Sequence, residues 1–223
     1  MTTNATRPQS PAVRPRRSAL LHPLALTGIA YTVSWTAGLS IGAPSPGMHD
    51  SGSSIVAQLR GHSGMMDLQF VLTEGLPAIG LVLICLGLAR GAAGTRGART
   101  LGAAGLAAAL VSAVQCVLGL LLVSASAPGT VQALWQTTVR LDGAKMLALA
   151  VVGAVTAASA SFPRFLRLLG GGLAVSLIAS ALAYGLLLPS LAWLAYPGGL
   201  LLLAFVTAAG IVLARARVGR SVS

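Results

Sequence analysis

Acidic residues are nearly missing from this chain. There are 4 in 223 residues, against 15 lysines and arginines. Charged residues together make up 9%, aromatic residues 4%, and there are 2 cysteines. So low a charge content excludes an ordinary soluble domain. The cysteines, Cys85 and Cys116, both lie inside apolar runs. Nothing resembles a metal-binding cysteine set, and two buried thiols that act as small apolar groups are expected. No HExxH motif stands in the chain, and no Gly-x-Ser-x-Gly stands in a suitable context. No aspartate-rich motif for a magnesium-bound diphosphate occurs. "GAAGTRGART" (91–100) has glycines between arginines but no strand before it, so it is not a phosphate loop. Neither a metal nor a cofactor is expected.

What the chain does have is length of apolar run. Hydrophobic residues make up 55%. Stretches of about 20 apolar residues recur, the length a bilayer requires of a helix. The alternating pattern of an outer-membrane barrel is absent. The fold class expected is all-α, a polytopic membrane bundle of about six transmembrane helices. The spans read as roughly 19–43, 66–89, 100–123, 143–161, 168–188 and 192–214. Residues 1–17, rich in Pro, Ser, Thr and Arg, read as a disordered basic tail, 18–216 as the membrane domain and 217–223 as a second tail. A signal peptide is the rival reading of the first span. Its apolar run is long for a signal core and is punctuated by polar residues, which favours a retained helix.

The net charge of +11 suggests nucleic acid only until its placement is considered. Arg7, Arg14, Arg16 and Arg17 precede span one, and Arg90, Arg96 and Arg99 follow span two. Arg164 and Arg167 follow span four, and Arg215, Arg217 and Arg220 close the last. On a six-span topology these all share one side, leaving Arg60, Arg140 and Lys145 on the other. That is the positive-inside pattern: plasma membrane, both termini cytoplasmic, no nucleic-acid partner. Nothing in the sequence sets the oligomeric state.

All four acids (Asp50, Asp67, Glu74 and Asp142) then fall in the outer half. Glu74 lies about 12 Å inside span two at 1.5 Å rise per residue. A charge at that depth is costly, so Glu74 is expected to face the bundle interior and to be neutral or paired with Lys145. Asp67 and Phe70 share its face at i−7 and i−4. Trp35 and Gln115 reach similar depth on spans one and three, with Tyr31 one turn below Trp35. Asp142 and Lys145 stand i, i+3 at the mouth of span four, beside Arg140, and Tyr184 lies near the outer end of span five. Such a set either fixes packing through an interhelical ion pair or forms an outward-opening functional pocket. His49 and His62 share the outer segment without a known ligand spacing.

"LTGIAYTVSWTAGLSIGAPSP" (26–46), "LQFVLTEGLPAIGLVLICLGLAR" (68–90), "GLAAALVSAVQCVLGLLLV" (105–123) and "TVRLDGAKMLALA" (138–150) resemble a group of small six-helix membrane proteins of actinobacteria. The architecture is also similar, more weakly, to integral-membrane terpene cyclases of the drimentine type. That likeness rests on size, span count and two acids on separate helices at the membrane edge. It implies an enzyme that protonates and closes a prenyl chain on a lipophilic, for example farnesylated, substrate. Glu74 would be the general acid, with Asp142 as hydrogen-bond partner or final proton acceptor, held ionised by Lys145 and Arg140. Tyr31, Trp35 and Phe70 would shape the chain and shield the cation, and Asp67, Gln115 and Tyr184 would complete the substrate site. A low aromatic content departs from such cyclases. A proton-coupled carrier and a non-catalytic structural or regulatory protein are the alternatives, although no inverted repeat supports transport.

Overall fold

A computed structural model describes residues 19–220. The expected tail over 1–17 and the last three residues lie outside the described residues. The helices are α1 (Pro23–Ser40), α2 (Gly52–Leu59), α3 (Ser63–Phe70), α4 (Leu76–Gly91), α5 (Arg96–Ser124), α6 (Pro128–Ala158), α7 (Arg164–Gly185) and α8 (Ala195–Arg220). A π-helical turn, Val71–Gly75, joins α3 to α4 without a break, and short 3₁₀ turns occupy Ala19–Leu21 and Pro189–Leu194. No strand occurs among the described residues.

Local chemistry marks the helix ends. Pro23 and Pro128 open α1 and α6 at the first position, where a missing N–H costs nothing. His22 Nδ1 accepts from the Leu24 N–H, and Ser51 Oγ caps α2 at the Ser54 N–H. Gly61 and Gly94 turn the chain between helices with φ of 82° and 85°, where a side chain would be strained.

Five continuous helical segments are long and apolar enough to cross a membrane: Ser63–Gly91, Arg96–Ser124, Pro128–Ala158, Arg164–Gly185 and Pro189–Gly219. The chain is therefore a multi-pass membrane-type bundle. At 18 residues and rich in Thr, Ser and Gly, α1 is not among the five. It is nonetheless the sixth member of the bundle. The α3–α4 segment, α5, α6, α7, α8 and α1 pack in that order into a closed ring, each antiparallel to the next. Alternation brings the α4–α5 and α6–α7 turns and the end of α8 together at one end, the end that carries Arg90, Arg96, Arg99, Arg164 and Arg167. Side chains such as Leu81, Ile84, Leu101, Leu173 and Phe205 fill the centre.

The helices approach closely where glycines face backbone, as lipid-embedded helices require when no hydrophobic force drives them together. Gly28 meets the Val206 carbonyl on the α1–α8 seam, and Gly153 and Gly170 face each other across α6–α7. Thr32 and Thr207 add a hydroxyl pair at 2.7 Å on the α1–α8 seam.

Two expectations need correction. The fourth helix begins not near 143 but at Pro128, so Asp142 lies inside a 31-residue helix. At about 46 Å, α6 exceeds the ~30 Å hydrocarbon core. Its first turns are held by a small second core at the end opposite the arginines, built from Ile55, Leu59, Met66, Phe70, Leu122 and Val131. The polar segment 44–65 supplies α2 to that cap, which its polarity conceals. At the other end the α8 helix continues to Arg220, into the expected tail.

The stretch between α1 and α2 folds down over the cap. Trp135 Nε1 donates to the Gly47 carbonyl at 3.0 Å, and His49 Nε2 contacts the Leu187 carbonyl at 2.9 Å. Asp50 Oδ2 accepts from the Gln58 amide at 2.8 Å and the Gly47 N–H at 2.9 Å. These bonds, the Gln58 one foremost, hold the exposed Asp50 carboxyl below its ordinary value of 3.8. A group whose folded pKa is depressed contributes stability above its unfolded pKa and loses it as pH falls through the folded value. We therefore expect the 43–51 peptide to loosen as pH falls from 3.8 through the lowered Asp50 value. Hydrogen exchange on that peptide, corrected for the intrinsic rate, should differ between wild type and Asp50→Asn at neutral pH and converge progressively on acidification. Equal protection in the two proteins at neutral pH would rule the clasp out.

Candidate functional site

Glu74 owes its setting to Pro77. Proline has no N–H and its ring crowds the carbonyl one turn back, so a regular helix cannot pass through unchanged. The chain widens here to a π turn, in which the Leu76 N–H bonds the Val71 carbonyl. The Leu72 carbonyl is picked up by Ser34 Oγ of α1 at 2.7 Å. Such repair by a neighbouring hydroxyl is how membrane helices tolerate proline. The π turn carries Glu74, and such single wide turns concentrate at functional sites.

The Glu74 carboxylate meets an ammonium from α6, the next helix but one around the ring. Lys145 Nζ lies 2.7 Å from Oε1 and 2.8 Å from Oε2. Ser112 Oγ of α5 donates to Oε2 at 2.7 Å. Lys145 Nζ also lies 2.8 Å from Asp142 Oδ1, one turn earlier on α6. Three helical segments thus converge on one carboxylate–ammonium–carboxylate cluster. Exposure is graded across it: the side chains of Glu74 and Lys145 are 11% and 12% exposed and that of Asp142 is 27%. Of the two arrangements that depth alone allowed for Glu74, the structure has the ion pair. Lys145 is the cation that holds Asp142, since exposed Arg140 makes no ion pair among the described residues.

A cavity of about 150 Å³ opens beside the cluster. Glu74 and Asp142 form its charged wall, and Met66, Phe70, Trp135 and Val139 its apolar wall. Gln69, Thr73, Gln115 and Thr138 supply further polar atoms, and Pro44 and Ser45 lie at its rim. Gln115 is 1% exposed. Its Nε2 donates to the Thr138 carbonyl at 3.0 Å, and its Oε1 is buried without a hydrogen-bond partner, the one such side-chain atom among the described residues. The position of Phe70 depends on Gly119 of α5, where a Cβ would collide with the ring.

Comparison with protein-family models, with curated proteins and with solved structures returns no match. The site therefore rests on its own geometry. Glu74, Asp142, Phe70 and Gln115 line the cavity, and Lys145 stands behind the two carboxylates. The remaining candidates lie elsewhere. Tyr31 is buried in the main core against Gly80, and Trp35 packs its ring on Gly199 at the α1–α8 seam. Asp67 and Tyr184 are half-buried and do not line the cavity, and neither does exposed Arg140. Their spacings were compatible with the site, but the rotation of each helix about its axis sends them to other neighbours. Ser112 was missing from the reading of the site. Ser112 stands i−3 to Gln115 on the same helical face, which was a usable signal. Trp135 could be read only as one of several aromatics able to line a pocket, because the helix holding it reads as an outer loop. His49 and His62 bond backbone carbonyls, and no group of metal-ligating side chains forms among the described residues.

Proposed function

We propose that this is a plasma-membrane enzyme, basic ends in the cytoplasm, that protonates and cyclises a lipophilic prenylated molecule, as the resemblance to membrane terpene cyclases implies. The observation that carries this is the convergence of two carboxyl groups and two aromatic rings, Phe70 and Trp135, on one cavity. With Glu74, Asp142 and Lys145 all ionised, the cluster holds one negative charge in excess. One proton makes it neutral, and that proton is the one available for transfer.

The geometry favours Asp142 over Glu74 as the donor. Both Glu74 oxygens already accept hydrogen bonds, whereas Asp142 engages only Oδ1 and is the more exposed of the two. Asp142 would add its proton to a terminal alkene or epoxide of the chain. The next double bond supplies the electron pair for the new ring bond, and the last cation loses a proton from a neighbouring carbon back to a carboxylate. The product is an isomer of the substrate. Phe70 and Trp135 would stabilise the passing cation by their faces, and Glu74 with Lys145 would hold Asp142 in place.

A proton-coupled carrier is the second reading, favoured by volume. About 150 Å³ is below the ~300–1,000 Å³ typical of sites that enclose a whole small molecule. On the enzyme reading only the reacting end of the chain enters and the rest stays in lipid.

Membranes containing the protein, incubated with farnesylated indoles and related prenylated compounds, test this by mass spectrometry. We expect a product of equal mass and shifted retention. Its rate should fall by about 10²–10⁴ in Asp142→Asn, the range general acids contribute. An isomer that persists in Asp142→Asn removes that residue as the acid. Substrate that crosses the membrane unchanged, with no isomer formed, replaces the enzyme by the carrier.

A further inference from the structure

The polar atoms fixed around the cavity are predominantly acceptors. The two charged groups on its wall, Glu74 and Asp142, are both acidic, and the ammonium of Lys145 lies behind them and not on the lining. The hydroxyls of Thr73 and Thr138 spend their protons on carbonyls of their own helices, Gln69 at 2.8 Å and Leu134 at 3.0 Å. They turn only lone pairs outward. Independently of the acids, Gln115 has committed its Nε2 to the Thr138 carbonyl, which fixes the orientation of the amide and leaves Oε1 as a buried acceptor with no donor. Leaving such an atom unpaired costs about 1–3 kcal/mol, so something that donates belongs there.

We propose that the cavity binds a protonated primary amine on a short apolar stem. An ammonium group brings three donors and no acceptor, the complement of Gln115 Oε1 and the Asp142 carboxylate. Its charge cancels the excess negative charge of the cluster. The stem meets Phe70 and Met66, and the ring of Trp135 lies on the same wall for the cation to face. The volume corresponds to about five water molecules at ~30 Å³ each, room for an ammonium head and a few carbons. A neutral alcohol lacks the charge, a quaternary ammonium lacks the donors, and a carboxylate has the wrong sign. This inference goes beyond the enzyme reading and does not rest on it, since it requires occupancy and no proton transfer.

The test is calorimetric titration of the purified, detergent-solubilised chain at neutral pH with n-butylamine, n-butyltrimethylammonium, n-butanol and n-butyrate. We expect saturable binding of butylamine and binding at least about tenfold weaker for the other three, since a site built to satisfy polar partners rejects analogues lacking them. Asp142→Asn and Gln115→Leu should each weaken butylamine by about tenfold or more. Where Gln115→Leu does not elute as a folded species, Asp142→Asn decides alone. Equal affinity for butyltrimethylammonium, tight binding of butyrate, affinity unmoved by the variants, or no saturable heat with butylamine each overturns the proposal. A silent isomer assay leaves this result intact, because calorimetry reads occupancy alone.

Discussion

Lys145→Met is expected to destabilise the fold by about 3–5 kcal/mol, the usual cost of breaking a buried ion pair by removing one partner. The substitution leaves Glu74 with Ser112 as its remaining side-chain partner and sets two carboxylates facing each other without the ammonium between them. Methionine fills much the same volume as the lysine stem, so packing loss contributes little. The penalty comes from uncompensated charge, and removing that charge should restore stability. Glu74→Gln placed on Lys145→Met should recover more than half of the loss, giving a strongly favourable coupling term in a double-mutant cycle measured by denaturation in mixed micelles. Should Lys145→Met lie within about 0.5 kcal/mol of wild type, the cluster is behaving as an exposed pair and the buried site is wrong.

The second large effect belongs to the α6–α7 seam. A Cβ on Gly153 would stand 2.6 Å from the Gly170 carbonyl oxygen, and one on Gly170 would stand 2.7 Å from the Gly153 carbonyl oxygen. Neither neighbour is a side chain that can swing away; both are helix backbone. Two effects compete at Gly153→Ala. Alanine favours the helix by about 1 kcal/mol, and forcing the helices apart costs about 1–3 kcal/mol or more. The contact is backbone on backbone, so the second term should win, and Gly153→Leu should exceed it. Gly171 is the control. Its Cβ would find nothing nearer than Ala157 Cβ at 3.7 Å, so Gly171→Ala should be neutral or stabilising. Gly153→Ala as stable as Gly171→Ala would mean that the seam is looser than described.

Both effects join residues the sequence could only suggest. The pairing of Glu74 with Lys145 was one of two arrangements that depth allowed, because a carboxylate in lipid needs a partner and few cations are within reach. The i, i+3 relation of Asp142 and Lys145 was legible directly, since it is set inside one helix. So was the common face of Phe70 and Glu74, although the π turn lies between them. The turn itself was not legible. Pro77 announces that the helix must adjust, but whether it kinks, breaks or widens depends on the hydroxyl of Ser34 arriving from another helix. The cap was hidden for a related reason. The segments 44–65 and 128–142 are polar enough to read as loops, and helix forms over Gly52–Leu59 and from Pro128 onward because Ile55, Leu59 and Val131 find Met66, Phe70 and Leu122 to bury against.

By itself the sequence determined the all-helical class, the multi-pass character of the bundle and the clustering of arginines at one end. Each follows from a local sum, because the bilayer fixes how long an apolar run must be and alternate helices return the chain to the same end. Tertiary structure alone decided which residues share the cavity. Trp35 was read at the depth of Glu74, Asp67 on its face and Tyr184 near an outer helix end, yet none lines the cavity, while Ser112, Thr138 and Trp135 turn toward the cluster or the cavity. Rotation of a helix about its own axis is set by packing against its neighbours and not by hydropathy, and in this bundle glycine contacts between backbones set it.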